Sequence, residues 1–242
     1  ITIMNENSKY ILSIDVPSGF ECNSGKVMGN CIRSNKTVTF ELYKRGFISY
    51  DAESITGEIV IEKIGIPKAI VDKFHEDEYI MDIDFIKGLI KKRNKYSHKG
   101  DYGRTLILAG SAGFTGAAYI STQAAVRSGV GLVTLGCDSS IQNILSGKLV
   151  EAMTVSTNDE IRLDSLITKS DSIAIGPGLG NNNCTLNLLK KVLLNSKCPV
   201  VIDSDGLNVL EGNLEILKNK KMSDSSYASY GGNGKNIGVF NR

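Results

Sequence analysis

The chain has 242 residues, 41% of them hydrophobic and 22% charged, which is the range of ordinary soluble globular proteins and excludes a disordered or coiled-coil chain. A formal net charge of +2 gives no basic field, so nucleic acid is not expected as a partner. No apolar run approaches the roughly 20 residues that cross a bilayer, and the N-terminus lacks the order of a signal peptide, so no membrane is expected either. Cys22, Cys31, Cys137, Cys184 and Cys198 are odd in number, dispersed and without a CxxC pair, which points to reduced thiols in a cytoplasmic protein.

In chain order, strand-length apolar runs occur at "YILSIDV", "TVTFEL", "EIVIEKIGI", "RTLILAG", "GLVTLG", "SIAIGPG" and "CPVVIDSD", several ending in Gly, Pro or Asp. Helical patterns lie between the later runs. "TGAAYISTQAAVRSG" opens on Thr115 and closes on Gly129, while "NNCTLNLLKKVLLNSK" is expected to set Leu186, Leu189, Leu193 and Leu194 on one face behind an Asn-rich cap. Alternating strand, glycine turn and helix imply an α/β fold with parallel sheets, because parallel neighbours need a connection of helix length. Between residues 67 and 100 the rhythm gives way to two polar amphipathic segments. The expected organisation is a first domain segment at 1–66, a connection at 67–100 and a second α/β segment at 101–221, with a Ser-, Gly- and Asn-rich tail at 222–242.

Several strand ends carry residue types suited to ligands, which in open α/β sheets bind outside the carboxyl ends of the strands. "ILSIDVPSG" delivers Asp15 there with Ser18 beside it, placed for sugar hydroxyls or a cation, or else to cap a turn. "LILAGSAGFTGAA" brings Gly110, Gly113 and Gly116 before a helix, so freed backbone amides can cradle phosphate oxygens. It is neither GxGxxG nor a Walker loop, since Ala117 stands where the Walker lysine would be. "IGPGLG" repeats the device with Gly176, Gly178 and Gly180, or forms a tight turn around Pro177. "VVIDSDGLN" places Asp203 and Asp205 at a further strand end with Asn208 one helical turn on, suited to magnesium-bound phosphate, a ribose or plain helix capping. His75, among acids, reads as a surface residue, and His98 with Lys99 could approach a phosphate but has no catalytic partner. Serine hydrolase and zinc protease signatures are absent.

Taken in order, "SIDVPSG", "TVTFELYKRG", "GEIVIEKIGIP", "HKGDYGRTLILAGSAGFTGAA", "AIGPGLG" and "VVIDSDGLN" resemble the bifunctional NAD(P)H-hydrate repair family over residues 8–220. The resemblance implies the end of a Rossmann-like NAD(P)H-hydrate epimerase domain followed by the first part of a ribokinase-like, ADP-dependent (S)-NAD(P)H-hydrate dehydratase. It implies that Asp15 touches the hydrated nicotinamide nucleotide and that Ser18 helps hold K+ in the epimerase. In the dehydratase it implies that Ala117 and Gly178 line the NAD(P)H-hydrate site, with ADP or ATP as co-substrate, Mg2+, and a homo-oligomer for the full-length enzyme. The family's asparagine-rich phosphate loop, "TPHxGE" segment and "GSGD"-like turn, whose Asp is the base, are not legible in this chain. The implied picture is a fragment truncated at both ends and without activity alone. Reading "YASYGGNGKNIG" one base forward permits "TPHTGEMAKI", the next motif of the family, so 222–242 is expected to be a frameshift product. The alternatives are a ribokinase-like small-molecule kinase and a non-catalytic nucleotide-binding protein.

Overall fold

The computed structural model describes residues 1–74, 80–81, 83–90 and 92–218; His75 and the tail from Met222 lie outside the described residues. The chain divides into two compact units, Ile1–Ile90 and Lys91–Arg242. All five cysteines are free, and no helix among the described residues is long and apolar enough to cross a membrane.

The first unit is built on a parallel sheet of β1 (Leu12–Ile14), β2 (Lys36–Phe40) and β3 (Glu58–Glu62), in that order. α1 (Thr2–Asn7) precedes β1, and α2 (Ala52–Thr56) lies in the crossover from β2 to β3. The register Ser13↔Thr37↔Ile59 collects the buried residues on one face, and Leu12, Ile14, Val38 and Val60 fall on the other. On the covered face Phe20, Cys31, Phe47, Ala52 and Ile55 form the core, with the Phe20 and Phe47 rings 5.8 Å apart. The buried Thr37 hydroxyl donates to the Thr56 carbonyl at 2.7 Å, which makes a polar residue tolerable there. α3 (Lys68–Lys73) and α4 (Ile83–Leu89), in the stretch where the strand rhythm breaks, bury none of their residues.

The second unit is a five-stranded parallel sheet of β4 (Arg104–Leu108), β5 (Leu132–Cys137), β6 (Met153–Ser156), β7 (Ser172–Ile175) and β8 (Val200–Ile202), ordered β6-β5-β4-β7-β8. Its helices are α5 (Thr115–Arg127), α6 (Ser139–Ser146), α7 (Glu160–Lys169), α8 (Asn183–Asn195), α9 (Asp205–Asn208) and α10 (Glu215–Lys218). Leu106 and Leu108 of β4 face a core completed by α7 and α8, while Ile107 and Ala109 face a second core with α5 and α6. The central strand is therefore apolar on both faces, as a doubly covered parallel sheet requires.

All seven expected strands form. β6 was not among them, because "MTVS" is short and only Val155 in it is buried. α8 is capped as its Asn-rich start suggests, the Asn182 side chain accepting from the Thr185 N–H, and Gly129 at φ 91° closes α5. One expectation is corrected: Leu194 is 66% exposed, whereas Leu189, Val192 and Leu193 are buried. At about 100° per residue, position 194 stands far around the helix from 189, and Val192 takes the place in the core.

Candidate functional site

In the second unit the chain runs from β4 outward to β5 and β6, then returns to lay β7 on the other side of β4. The gap between the carboxyl ends of β4 and β7 is thus the point where strand order reverses, the place where open α/β sheets bind ligands. The turns after β4, β7 and β8 meet there. Gly110 donates its N–H to the Pro177 carbonyl at 2.9 Å, and the Ser111 hydroxyl donates to the Gly178 carbonyl at 2.8 Å. Gly180 donates its N–H to Asp205 Oδ2 at 2.8 Å, and Asn208 Nδ2 donates to Asp205 Oδ1 at 3.2 Å.

Glycine is required in these turns for two separate reasons. A Cβ on Gly176 would sit 1.8 Å from the Asp203 carbonyl oxygen, so the β7 and β8 turns touch backbone to backbone. A Cβ on Gly178 would meet Ala117 Cβ and Phe114 Cβ at 3.0 Å, so this glycine holds open the seam between the β7 turn and the start of α5. Gly110, at φ 85°, has Ala118 Cβ 2.7 Å from where its own Cβ would be. Gly113 and Gly116 have open space around them. Among the described residues the Gly178 N–H has no protein acceptor. Together with the first amides of α5, which no helix begun at Thr115 can satisfy internally, it leaves donors on the edge where Ala117 and Gly178 meet.

Of the residues singled out from sequence, Gly110, Ala117, Gly178, Gly180, Asp203 and Asn208 come together on this edge. Gly180 lends its amide to Asp205 and not to solvent. Ser111 and Phe114 were not singled out, although "GSAGF" between two glycines is where a side chain reaching the next turn would stand. His98 and Lys99 lie ahead of β4, at the opposite end of the strand from the glycine turns, and His98 pairs locally with Asp101 at 3.4 Å. The acids at the neighbouring strand ends are caps: Asp138 accepts from the Ser140 N–H at 2.9 Å, and Asp159 from the Arg162 N–H at 3.1 Å. Hydrogen bonds from the Ser140 side chain and backbone hold the Asp138 carboxyl below its ordinary range. Burial, with Asp138 beside it, pushes the Cys137 thiol up to about 11, so it is no nucleophile at neutral pH.

In the first unit Asp15 follows β1 at φ 64°, its own N–H donating to the Val38 carbonyl at 2.7 Å. Its Oδ1 accepts from the Thr39 hydroxyl at 3.1 Å and the Phe40 N–H at 3.2 Å, and pairs with Lys44 Nζ at 3.1 Å. Burial raises the Asp15 pKa, but the Phe40 N–H, the Lys44 ammonium and the Thr39 hydroxyl outweigh it and hold the carboxyl below its ordinary value. The carboxylate is thus fixed and charged. Lys44, in "ELYKRG", was not singled out, since a lysine four residues past a strand carries no distinctive spacing. Ser18 is exposed and its carbonyl accepts from the Ile32 N–H at 2.9 Å. A concavity of about 560 Å3 in this unit is lined by Asn5, Glu6, Arg33 and Asp51 among others, and neither Asp15 nor Ser18 belongs to its wall.

Residues 105–224 match a family model described as NAD(P)H-hydrate dehydratase, and residues 1–46 one described as YjeF-related protein N-terminus. The chain is 34% identical over 227 residues to a bifunctional NAD(P)H-hydrate repair enzyme of Moorella thermoacetica, covering 90% of this chain and 43% of that protein. A protein of the same name from Coxiella burnetii is 35% identical over 210 residues, covering 87% and 43%. The chain therefore spans less than half the length of these curated relatives. Among solved structures, a ribokinase-like superfamily protein from Enterococcus faecalis aligns with a TM-score of 0.55 at 23% identity, over 65% of this chain and 69% of that one, a likeness of fold. Two family models in the order of the two units, and relatives that align across nine-tenths of the sequence, place the chain in the bifunctional NAD(P)H-hydrate repair enzyme family.

Proposed function

We propose that the chain serves nicotinamide nucleotide repair: the edge around Gly178 and Ala117 binds hydrated NAD(P)H with ADP or ATP for dehydration, and the Asp15 site acts in interconverting the R and S hydrates. One observation carries this reading, the meeting of the β4, β7 and β8 turns at the strand-order switch point with the Gly178 amide left without a protein acceptor. A dinucleotide and its phosphoryl donor need backbone donors and few side chains, and that is what this edge offers. Phosphoryl transfer to the hydroxyl of the hydrate makes it a leaving group, so the protein's part is to align the two ligands and exclude water.

Asp203, Gly110, Gly113 and Gly116 are the further candidates for contact with the nucleotide. Among the described residues no three His, Cys, Asp or Glu side chains gather to hold a metal, and both Asp205 oxygens are engaged within the protein. Mg2+ accordingly fits as an ion carried by the nucleotide phosphates with Asp203 at its margin. K+ fits the neutral oxygens of Ser18, whose carbonyl keeps a second lone pair, better than Asp15, whose charge is already paired with Lys44. The full-length enzyme is proposed to be a cytoplasmic homo-oligomer.

Calorimetric titration of the chain with NADPH and with ADP tests the reading. Binding of both is expected, and Gly178→Leu, which drives a side chain into Ala117 and Phe114, should abolish NADPH binding in variant protein that circular dichroism shows to be folded. Wild-type protein that binds neither nucleotide overturns it. Recovery of absorbance at the NADPH wavelength from the hydrate plus ADP measures turnover. Phosphorylation of a sugar or hydroxymethylpyrimidine would replace the reading with that of a kinase.

A further inference from the structure

The turn Gly176–Gly180 is held from the β4 side, from the β8 side and by α8, whose Thr185 hydroxyl donates to the Gly180 carbonyl at 2.7 Å and leaves the Gly180 N–H to another partner. On the β4 side it receives the Gly110 N–H and the Ser111 hydroxyl on its own carbonyls, at Pro177 and Gly178. On the β8 side a single side chain does the holding: Asp205 Oδ2 takes the Gly180 N–H at 2.8 Å, while Asn208 Nδ2 steadies the other oxygen at 3.2 Å. An acid at the first position of a helix ordinarily serves that helix, but the amides of α9 are satisfied otherwise. Gly206 donates to the Asp203 carbonyl, and Leu207 and Asn208 donate to the Ser204 carbonyl. Asp205 is turned toward β7 by Ser204, which sits at φ 49°, ψ −120°, a conformation that L-residues rarely adopt.

We propose that Asp205 is a positioning residue, which fixes the far end of the Gly176–Gly180 turn through the Gly180 amide and so presents the Gly178 amide to the ligand. The importance of that turn for binding rests on the reading given above, whereas the lock itself does not. It follows that Gly180 is an anchor of the turn and not a phosphate donor, since its N–H is already committed to a carboxylate. It also follows that β8 shapes the site without its acid having to touch a metal.

The test uses the whole chain labelled with 15N-glycine, with Asp205→Ala, Asp205→Asn and Ser204→Gly beside the wild type. In Asp205→Ala the Gly180 amide is expected to exchange with solvent about tenfold faster or more, because a charge-assisted hydrogen bond is gone. Asp205→Asn keeps a carbonyl oxygen for Gly180 and, with the Asn208 amide turned over, a donor for Asn208, so it should restore most of the protection. Ser204→Gly relieves the backbone and should leave Gly180 protected. NADPH and ADP affinity should fall about tenfold in Asp205→Ala and about threefold or less in Asp205→Asn.

Gly180 exchange unchanged in a folded Asp205→Ala protein overturns the proposal, and so does a freed Gly180 with unaltered nucleotide affinity. If Asp205→Ala does not fold, Asp205→Asn decides: protection of Gly180 retained supports the lock, and protection lost while the Gly176 amide, which donates to the Leu108 carbonyl of β4, stays protected overturns the assigned geometry. Wild-type protein that binds neither nucleotide removes the dinucleotide reading alone, and the exchange comparison still decides the role of Asp205.

Discussion

Gly176, Gly113 and Gly116 read alike in the sequence, yet the structure asks three different things of them. Gly176 combines φ 133° with a backbone oxygen 1.8 Å from its missing Cβ, Gly113 has φ 86° but open space, and Gly116 stands in the first turn of α5 with open space and no positive φ. Replacement by alanine should therefore cost about 3 kcal/mol or more at Gly176, where backbone must move. At Gly113 only the left-handed conformation is penalised, by about 1–2 kcal/mol. At Gly116 alanine should gain roughly 0.5 kcal/mol, because it favours helix. Urea midpoints of the three variants check the order, and a Gly176→Ala protein as stable as wild type would refute the close approach of β7 and β8. The glycine spacing announced that backbone comes near something on this edge. It could not say that Gly176 meets Asp203, Gly180 meets Asp205 and Gly178 meets Ala117, since those partners come from the segments that follow β4 and β8 and their meeting is decided by strand order.

At the scale of elements, the helices flanking the site were legible where their ends carry caps and uncertain where only a run of leucines was visible. Asn182 and Gly129 mark real termini. α8 holds five leucines, and packing against β7, β8 and α7 chose Leu189 and Leu193 with Val192 over Leu194, which the leucine run had set on the same face. Leu189→Ala should cost about 2–5 kcal/mol as a cavity in the core that includes Leu106, Ile173 and Ile175. Leu194→Ala should change stability by less than about 0.5 kcal/mol, as exposed substitutions do. Equal losses at the two positions, measured by denaturant unfolding, would mean that α8 is rotated relative to the sheet. The missed strand β6 and the helices α6 and α7 show the converse limit. "MTVS" holds one buried side chain, and its place in the sheet is set by pairing Thr134↔Met153 and Gly136↔Val155, which no local pattern records.

Across the whole molecule the two units bury their sheets to different degrees. In the second unit β4 is covered on both faces, with Leu106, Ile107 and Leu108 each at most 3% exposed. In the first unit Thr37 and Thr39 of β2 are fully buried on one face, whereas on the other Leu12 and Ile14 of β1 are 53% and 69% exposed among the described residues. Parallel sheets gain their stability from two covered faces, and three strands lie near the lower limit for an independent sheet. The first unit should accordingly open at a lower free-energy cost, with β2 exchanging its amide hydrogens sooner than β4. Peptide-resolved deuterium uptake on the full chain is expected to show half-times for the segment Lys36–Phe40 at least about tenfold shorter than for Arg104–Leu108, the factor that about 1.4 kcal/mol of opening energy produces. Equal half-times would mean that the Leu12 and Ile14 face is covered in solution, whether by this chain or by another. In that case the Asp15 site, whose carboxylate hangs from the ends of β1 and β2, would be as firmly held as the Gly178 edge.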